Sequence, residues 1–170
     1  VSQTMMVAQR LYESGRITYM RTDSVNLSSL CLGTSKKYIS ETMGDTYVKT
    51  RQYTTNSKGA QEAHEAIRPT YMDQTEIEGT AQERKLYNLI WKRTIACQMA
   101  DAELERTVAT ISVSGSDYNF VAQGEVVVFD GFLRVYRETE AEDGEPKSAE
   151  GELPPLQVGT QLSRKDVTAT

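Results

Sequence analysis

The feature that most constrains the fold is a change of apolar period near residue 103. Before it, apolar residues recur at helical spacing; after it, they alternate as in strands. Three helices are expected in the first part. Residues 2–14 read as a helix, Val1, Met5, Ala8 and Tyr12 recur as a stripe that reads as a core face, and Gly15 stands where a left-handed C-terminal residue is wanted. Ser28 or Ser29 caps a second helix to about Met43, with Leu32, Ser35, Ile39 and Met43 on one face and Gly44 ending it. Thr80-Ala-Gln-Glu83 is a capping box, and a helix to about Met99 or Ala102 follows, burying Leu86, Leu89, Ile90, Thr94 and Cys97.

From Arg106 onward Ala109, Ile111 and Val113 alternate with Val108, Thr110 and Ser112. Ser114-Gly-Ser-Asp117 reads as a turn, and Tyr118–Val128 as the returning strand, with Gly124 a candidate bulge. Asp130-Gly131 reads as a hairpin turn with Phe132–Arg137 continuing beyond it, and Leu153–Leu162 as one or two short strands. Residues 138–152 hold seven acidic residues and one lysine, a solvated loop. The fold class expected is therefore α+β: a helical module over 1–103 and a β-rich segment over 104–170.

The chemistry concentrates between Gly15 and Ser28. Residues 16–20 read as a short extended segment, with Ile17 and Tyr19 on one side and Thr18 and Met20 on the other. Arg21, Thr22, Asp23, Ser24 and Asn26 follow within seven residues. Such a polar run suits a loop displayed by a rigid scaffold. Two readings of Tyr19 stay open: a half-buried strand tyrosine before a polar turn, or a nucleophile with a cationic neighbour. Extended backbone puts residues i and i+2 on one face, so Arg21 would lie beside Tyr19. A sharp turn after Tyr19 would break that alignment. Residues 45–61 show no sustained period: Tyr47-Val48 reads as a brief extended piece, Thr50–Gln61 as a loop, and Ala63–Ile67 as a helical turn ended by Pro69.

Charge decides less than it first suggests. The net charge is −5, yet residues 1–70 hold nine Lys/Arg against six Asp/Glu and the remainder ten against eighteen. Local field governs where a polyanion docks, and the first part is modestly basic. Lys49, Arg51 and Lys58 around Tyr53 are too few to define a phosphate track. Cys31 and Cys97 lack metal-like spacing and read as free thiols, which suits a reducing, cytoplasmic setting. No apolar run approaches the ~18–20 residues of a membrane span, and no signal peptide is visible. A start without methionine inside a helical pattern suggests a piece of a longer chain.

Ile17-Thr-Tyr-Met-Arg-Thr-Asp-Ser24 resembles the active-site tyrosine motif of the type IA DNA topoisomerases, and Glu62-Ala-His-Glu-Ala-Ile-Arg-Pro-Thr70 resembles a second motif of that family at the expected distance. Thr4–Glu13 and Trp91–Met99 resemble the helices flanking the two motifs. Met20 resembles the bacterial branch more than the topoisomerase III or reverse-gyrase branch, which tends to carry proline there. The resemblance implies that the helical module is catabolite-activator-like, akin to a winged helix, and that the β segment belongs to the arch of a torus. It implies Tyr19 as nucleophile in ATP-independent relaxation of negatively supercoiled DNA through a 5′-phosphotyrosine intermediate.

A phenol ionises near pH ~10 and needs help at neutral pH; Arg21 can supply positive field and contact the scissile phosphate. His64, the one histidine, reads as structural on its own, whereas the resemblance places it against DNA phosphate or in the active-site hydrogen-bond network. Arg68 is either a phosphate contact or a buried ion pair with Asp23, Glu62 or Glu65. Thr22, Asp23 and Ser24 organise the loop through local bonds to backbone. The family's Mg²⁺ is held by an acidic Toprim domain; no Asp-x-Asp-x-Glu-like cluster occurs here, so no metal ligand is assigned. The partners implied are single-stranded DNA at the cleavage site and the Toprim and other torus domains, in a cytoplasmic, nucleoid-associated setting. The fragment alone is expected to be inactive, and unpaired β edges invite an artefactual dimer. A topoisomerase III or reverse-gyrase-like member, or a non-catalytic DNA-binding or hinge module, is the alternative.

Overall fold

The computed structural model describes residues 1–54, 65–136 and 153–166. Its elements in chain order are helix α1 (Ser2–Glu13), helix α2 (Ser29–Met43), a 3₁₀ turn (Asp45–Tyr47), helix α3 (Ala81–Ala96), strands β1 (Glu103–Ser112) and β2 (Asn119–Phe129), and a second 3₁₀ turn (Gly131–Arg134). The chain divides into two compact units, Val1–Glu103 with Phe129–Glu145, and Leu104–Val128 with Pro146–Thr170.

Local chemistry sets the helix ends. α1 closes in a Schellman turn: Gly15, at φ 71°, donates to the Tyr12 carbonyl at 2.8 Å, and Arg16 donates to the Leu11 carbonyl at 2.8 Å. Ser28 Oγ accepts from the Cys31 N–H at the start of α2, and Gly44 ends that helix at φ 104°. Thr80 and Glu83 form the capping box of α3, each side chain taking the other's backbone N–H.

The helices meet through faces partly different from those the apolar stripes suggest. In α1 the buried residues are Val7, Ala8 and Leu11, whereas Val1, Met5 and Tyr12 are exposed. In α3 the buried residues are Tyr87, Trp91, Thr94, Ile95 and Ala96, with Leu89 exposed. Aromatic residues win that face because each has a polar handle with a partner. Tyr87 Oη donates to the Gln74 carbonyl at 2.6 Å and Trp91 Nε1 to the Met72 carbonyl at 3.0 Å. In α2, Cys31, Ser35 and Ile39 are buried, with Leu32 and Met43 at the margin. Trp91 also meets Tyr38 edge to face at 5.5 Å. α1 packs on α3, and fully buried side chains such as Leu11, Ile39 and Ile95 each contribute roughly 1.5–3 kcal/mol of burial.

Three further expectations change. Asp130-Gly131 does not make a hairpin: Gly131, at φ 48°, opens a 3₁₀ turn, and the Phe132 N–H donates to the Ala100 carbonyl at 2.9 Å. A β-carbon on Gly131 would stand 2.4 Å from the Asp101 carbonyl oxygen, so the glycine serves a close backbone approach rather than strand reversal. Residues 153–166 form no strand; Pro154 and Pro155 have no N–H to give a ladder. Tyr47 lies in a 3₁₀ turn, and only Val48 pairs, in an antiparallel bridge with Met99. In the second unit β1 and β2 form a two-stranded antiparallel sheet joined through Gly115 at φ 80°, and Gly124 is its one buried strand residue. The acidic stretch 138–152 lies outside the described residues.

Candidate active site

The two motifs are held together by backbone pairing across about fifty residues. Ile17 faces Pro69 in an isolated antiparallel bridge. The Thr18 N–H donates to the Arg68 carbonyl at 2.9 Å, and the Thr70 N–H to the Arg16 carbonyl at 3.0 Å. These bonds leave Pro69 opposite Ile17 in a pair that requires no donor, so proline sits there without an orphaned ladder bond. Thr18 Oγ1 adds a donated bond to the Ala66 carbonyl at 2.8 Å and accepts from the Arg68 N–H at 2.9 Å. Residues 65–67 are accordingly not helical, since their backbone groups are engaged across the motif: the Ala66 N–H donates to the Asn26 carbonyl at 2.8 Å.

Tyr19 emerges from this staple between two anchors. Ile17 and Met20 are buried, while the Tyr19 side chain is 41% exposed. The backbone bends at Thr18 and again at Met20 and Arg21. Strict alternation therefore fails, with Ile17 in the core and Tyr19 outside. The shared face assumed for Tyr19 and Arg21 loses its basis in an extended segment. Arg21 is exposed, and among the described residues nothing engages its guanidinium. Thr22 Oγ1 accepts from the Ser24 N–H at 3.0 Å and Ser24 Oγ from the Asn26 N–H at 3.2 Å, two successive side-chain turns that shape the loop. Asp23 is exposed; Ser24 is buried.

Beneath the loop lies an ion pair. Arg68 Nη2 donates to Glu65 Oε2 at 2.7 Å and Nη1 to the Pro69 carbonyl at 3.0 Å. The other oxygen, Glu65 Oε1, accepts from the Ser28 N–H at 2.8 Å. One carboxylate thus links the second motif's arginine to the N-cap of α2. Burial opposes ionisation of Glu65, but the Ser28 bonds and the Arg68 guanidinium outweigh it and hold the carboxyl below its usual range. The Arg68 side chain is 11% exposed, and its Nε is buried without a hydrogen-bond partner among the described residues.

Other expected residues fall elsewhere. Lys49 and Arg51 both pair with Asp101 rather than standing as a free basic track. His64, Glu62 and Lys58 lie outside the described residues. Ala66 and Ile67 line a cavity of about 650 Å³ together with Leu27, Thr94, Phe132 and Tyr136. Cys31 and Cys97 are free, and burial pushes both thiols up. Among the described residues no three His, Cys, Asp or Glu side chains come together to hold a metal ion. The Mg²⁺ that family enzymes use has no cradle there, and no step is assigned to it.

Sequence reasoning missed two contributors. Thr18 carries three hydrogen bonds of the staple through its backbone and hydroxyl groups, and its place inside the tyrosine motif was the available signal. Tyr12, read as part of a core stripe, is exposed and meets Tyr19 edge to face, with ring centroids 5.3 Å apart at 68°.

Tyr19 is thus an exposed tyrosine on a loop that backbone pairing holds to the second motif. The family model for DNA topoisomerase matches residues 1–170. The chain is 44% identical over 172 residues to DNA topoisomerase 1 of Synechocystis sp., covering 96% of this chain and 19% of that protein. It is 42% identical over 174 residues to DNA topoisomerase 1 of Zymomonas mobilis, covering 99% and 14%. The structure of full-length topoisomerase I from Thermotoga maritima superposes with a TM-score of 0.66 at 35% identity, covering 89% of this chain and 26% of that one. The chain belongs to the DNA topoisomerase family, on its bacterial type IA branch. It spans about 14–19% of the length of those two curated relatives. No helix among the described residues is long and apolar enough to cross a membrane.

Proposed function

We propose that this chain carries the nucleophile half of a type IA cleavage site, acting within an enzyme that relaxes negatively supercoiled DNA. The exposed Tyr19 phenol, held between buried Ile17 and Met20 on the stapled loop, carries this reading. Tyr19 Oη attacks the scissile phosphorus in line. An Oη–P bond forms, the P–O3′ bond breaks, the phenol loses its proton and the departing 3′ oxygen gains one. The 5′-phosphotyrosine ester conserves the bond energy, so the reverse attack by the 3′ hydroxyl reseals the strand without ATP. Strand passage occurs while the break is held open.

Arg21 is exposed and suited to contact the scissile phosphate as charge builds on it. Arg68 is suited to a different task. Its guanidinium is occupied by Glu65 and the Pro69 carbonyl, which supports a role in holding the loop. His64 is assigned to the DNA phosphate or the active-site hydrogen-bond network on family resemblance alone. The helical module is proposed as the catabolite-activator-like tyrosine domain and the two-stranded sheet as part of the torus arch, with Mg²⁺ supplied by a Toprim domain elsewhere in the enzyme. Single-stranded DNA and those other domains are its partners, in the bacterial nucleoid.

Tyr19→Phe in the full enzyme is expected to abolish both relaxation and covalent adduct, whereas relaxation by the variant would remove the reading. The isolated chain is expected not to nick supercoiled DNA, and Mg²⁺-dependent nicking by it would contradict the division of the site.

A further inference from the structure

The Schellman turn at Gly15 reverses the chain at the end of α1, and the Ile17–Pro69 bridge then fixes it. The consequence is that Tyr19 returns over the last turn of the helix it has just left. There the two rings meet edge to face at 5.3 Å and 68°, within the favourable range for such pairs. Tyr12 is 42% exposed and lies off the buried face formed by Val7, Ala8 and Leu11, so the core of α1 is complete without it.

Backbone anchoring alone does not fix a side chain. Burial of Ile17 and Met20 sets the Cα of Tyr19, and ring contacts such as that with Tyr12 then select among the staggered χ1 wells of an aromatic side chain. In-line attack tolerates one orientation, and small misplacements of a reacting group are costly. We propose that Tyr12 is a positioning residue whose ring, packed edge to face with Tyr19, holds the Tyr19 ring in its attacking rotamer. The proposal rests on the reading of Tyr19 as the nucleophile. Tyr12 acts through its ring, not its hydroxyl, and touches neither phosphate nor leaving group.

The test is single-turnover formation of covalent adduct on a saturating single-stranded oligonucleotide by the full-length enzyme, with Tyr12→Ala, Tyr12→Leu, Tyr12→Phe and Tyr19→Phe compared. Losing the aromatic ring in the alanine and leucine variants lowers the saturating rate roughly three- to tenfold, the range of a measured aromatic pair. Oligonucleotide affinity stays at the parent value, the variants remain folded at the assay temperature by circular dichroism, and Tyr12→Phe restores the rate. Wild-type rates in both the alanine and leucine variants overturn the proposal. So does a phenylalanine variant as slow as alanine, or a loss that appears only in affinity. Tyr19→Phe separates the two claims: adduct formed without the Tyr19 hydroxyl removes the nucleophile assignment itself, whereas its absence beside wild-type Tyr12 variants removes only the positioning role.

Discussion

Replacing Glu65 with alanine tests whether the second motif acts as a brace under the tyrosine loop. The carboxylate accepts two bonds, from the Ser28 N–H at 2.8 Å and from Arg68 Nη2 at 2.7 Å. Removing one partner of a buried ion pair costs about 3–5 kcal/mol, because the remaining charge is left uncompensated. Here the Arg68 side chain is 11% exposed but the Glu65 side chain is 31% exposed, so water can enter the space and lower the penalty. Arg68 also keeps its bond to the Pro69 carbonyl. A loss of about 2–4 kcal/mol follows, and at a mid-range urea m-value of about 2 kcal/mol/M the midpoint falls by about 1–2 M. Urea unfolding followed by Trp91 fluorescence reads it, since Trp91 is the one tryptophan and is buried in the same unit. Adding Arg68→Met removes the stranded charge. The double variant should therefore lose less than the sum of the single losses. A loss below about 1 kcal/mol, or strict additivity, would refute the brace.

Three other outcomes follow from the same geometry. Gly131→Ala should destabilise by about 2–4 kcal/mol, combining positive φ with loss of the Phe132–Ala100 bond, whereas Gly33→Ala, in open space within α2, should stabilise by about 0.5–1 kcal/mol; thermal melts of the pair check both signs. Because Glu65 ionises more readily when folded, its stabilisation is complete above the unfolded carboxyl range near pH ~4.3 and is lost as pH falls through its native value; Glu65→Gln should flatten that acid limb of a stability–pH curve. Arg21→Lys in the full enzyme should slow cleavage at saturating DNA, because lysine cannot match the guanidinium's bidentate grip, and an undiminished rate removes that role.

What was legible in the sequence was what local chemistry decides. Ser28, Gly15, Gly44 and the Thr80–Glu83 box mark helix ends through bonds made within a turn, and the structure makes those bonds. The faces of α1 and α3 were less legible because apolar residues lie on several sides of each helix. Choosing Tyr87 and Trp91 over Leu89 required knowing that the Gln74 and Met72 carbonyls wait for their polar ends. Asp130-Gly131 carries the composition of a hairpin turn, yet a positive φ serves equally where backbone meets backbone, as it does against Ala100 and Asp101.

At the site, the loop-shaping bonds of Thr22 and Ser24 follow from residue type and i,i+2 spacing. The Glu65–Arg68 pair was one of three weighed for Arg68. The pairing of residues 16–18 with 66–70, and the return of Tyr19 onto Tyr12, depend on contacts across the chain that no local pattern encodes.

The most direct test of the central claim is to find which tyrosine carries DNA. Full-length enzyme is denatured during cleavage of a single-stranded oligonucleotide, digested with nuclease and trypsin, and mapped by mass spectrometry. Cleavage after Arg16 and Arg21 releases Ile17-Thr-Tyr-Met-Arg21, while Tyr12 leaves in Leu11–Arg16. A nucleotide adduct is expected on the first peptide and none on the second; an adduct on any tyrosine other than Tyr19 would contradict the assignment of the nucleophile.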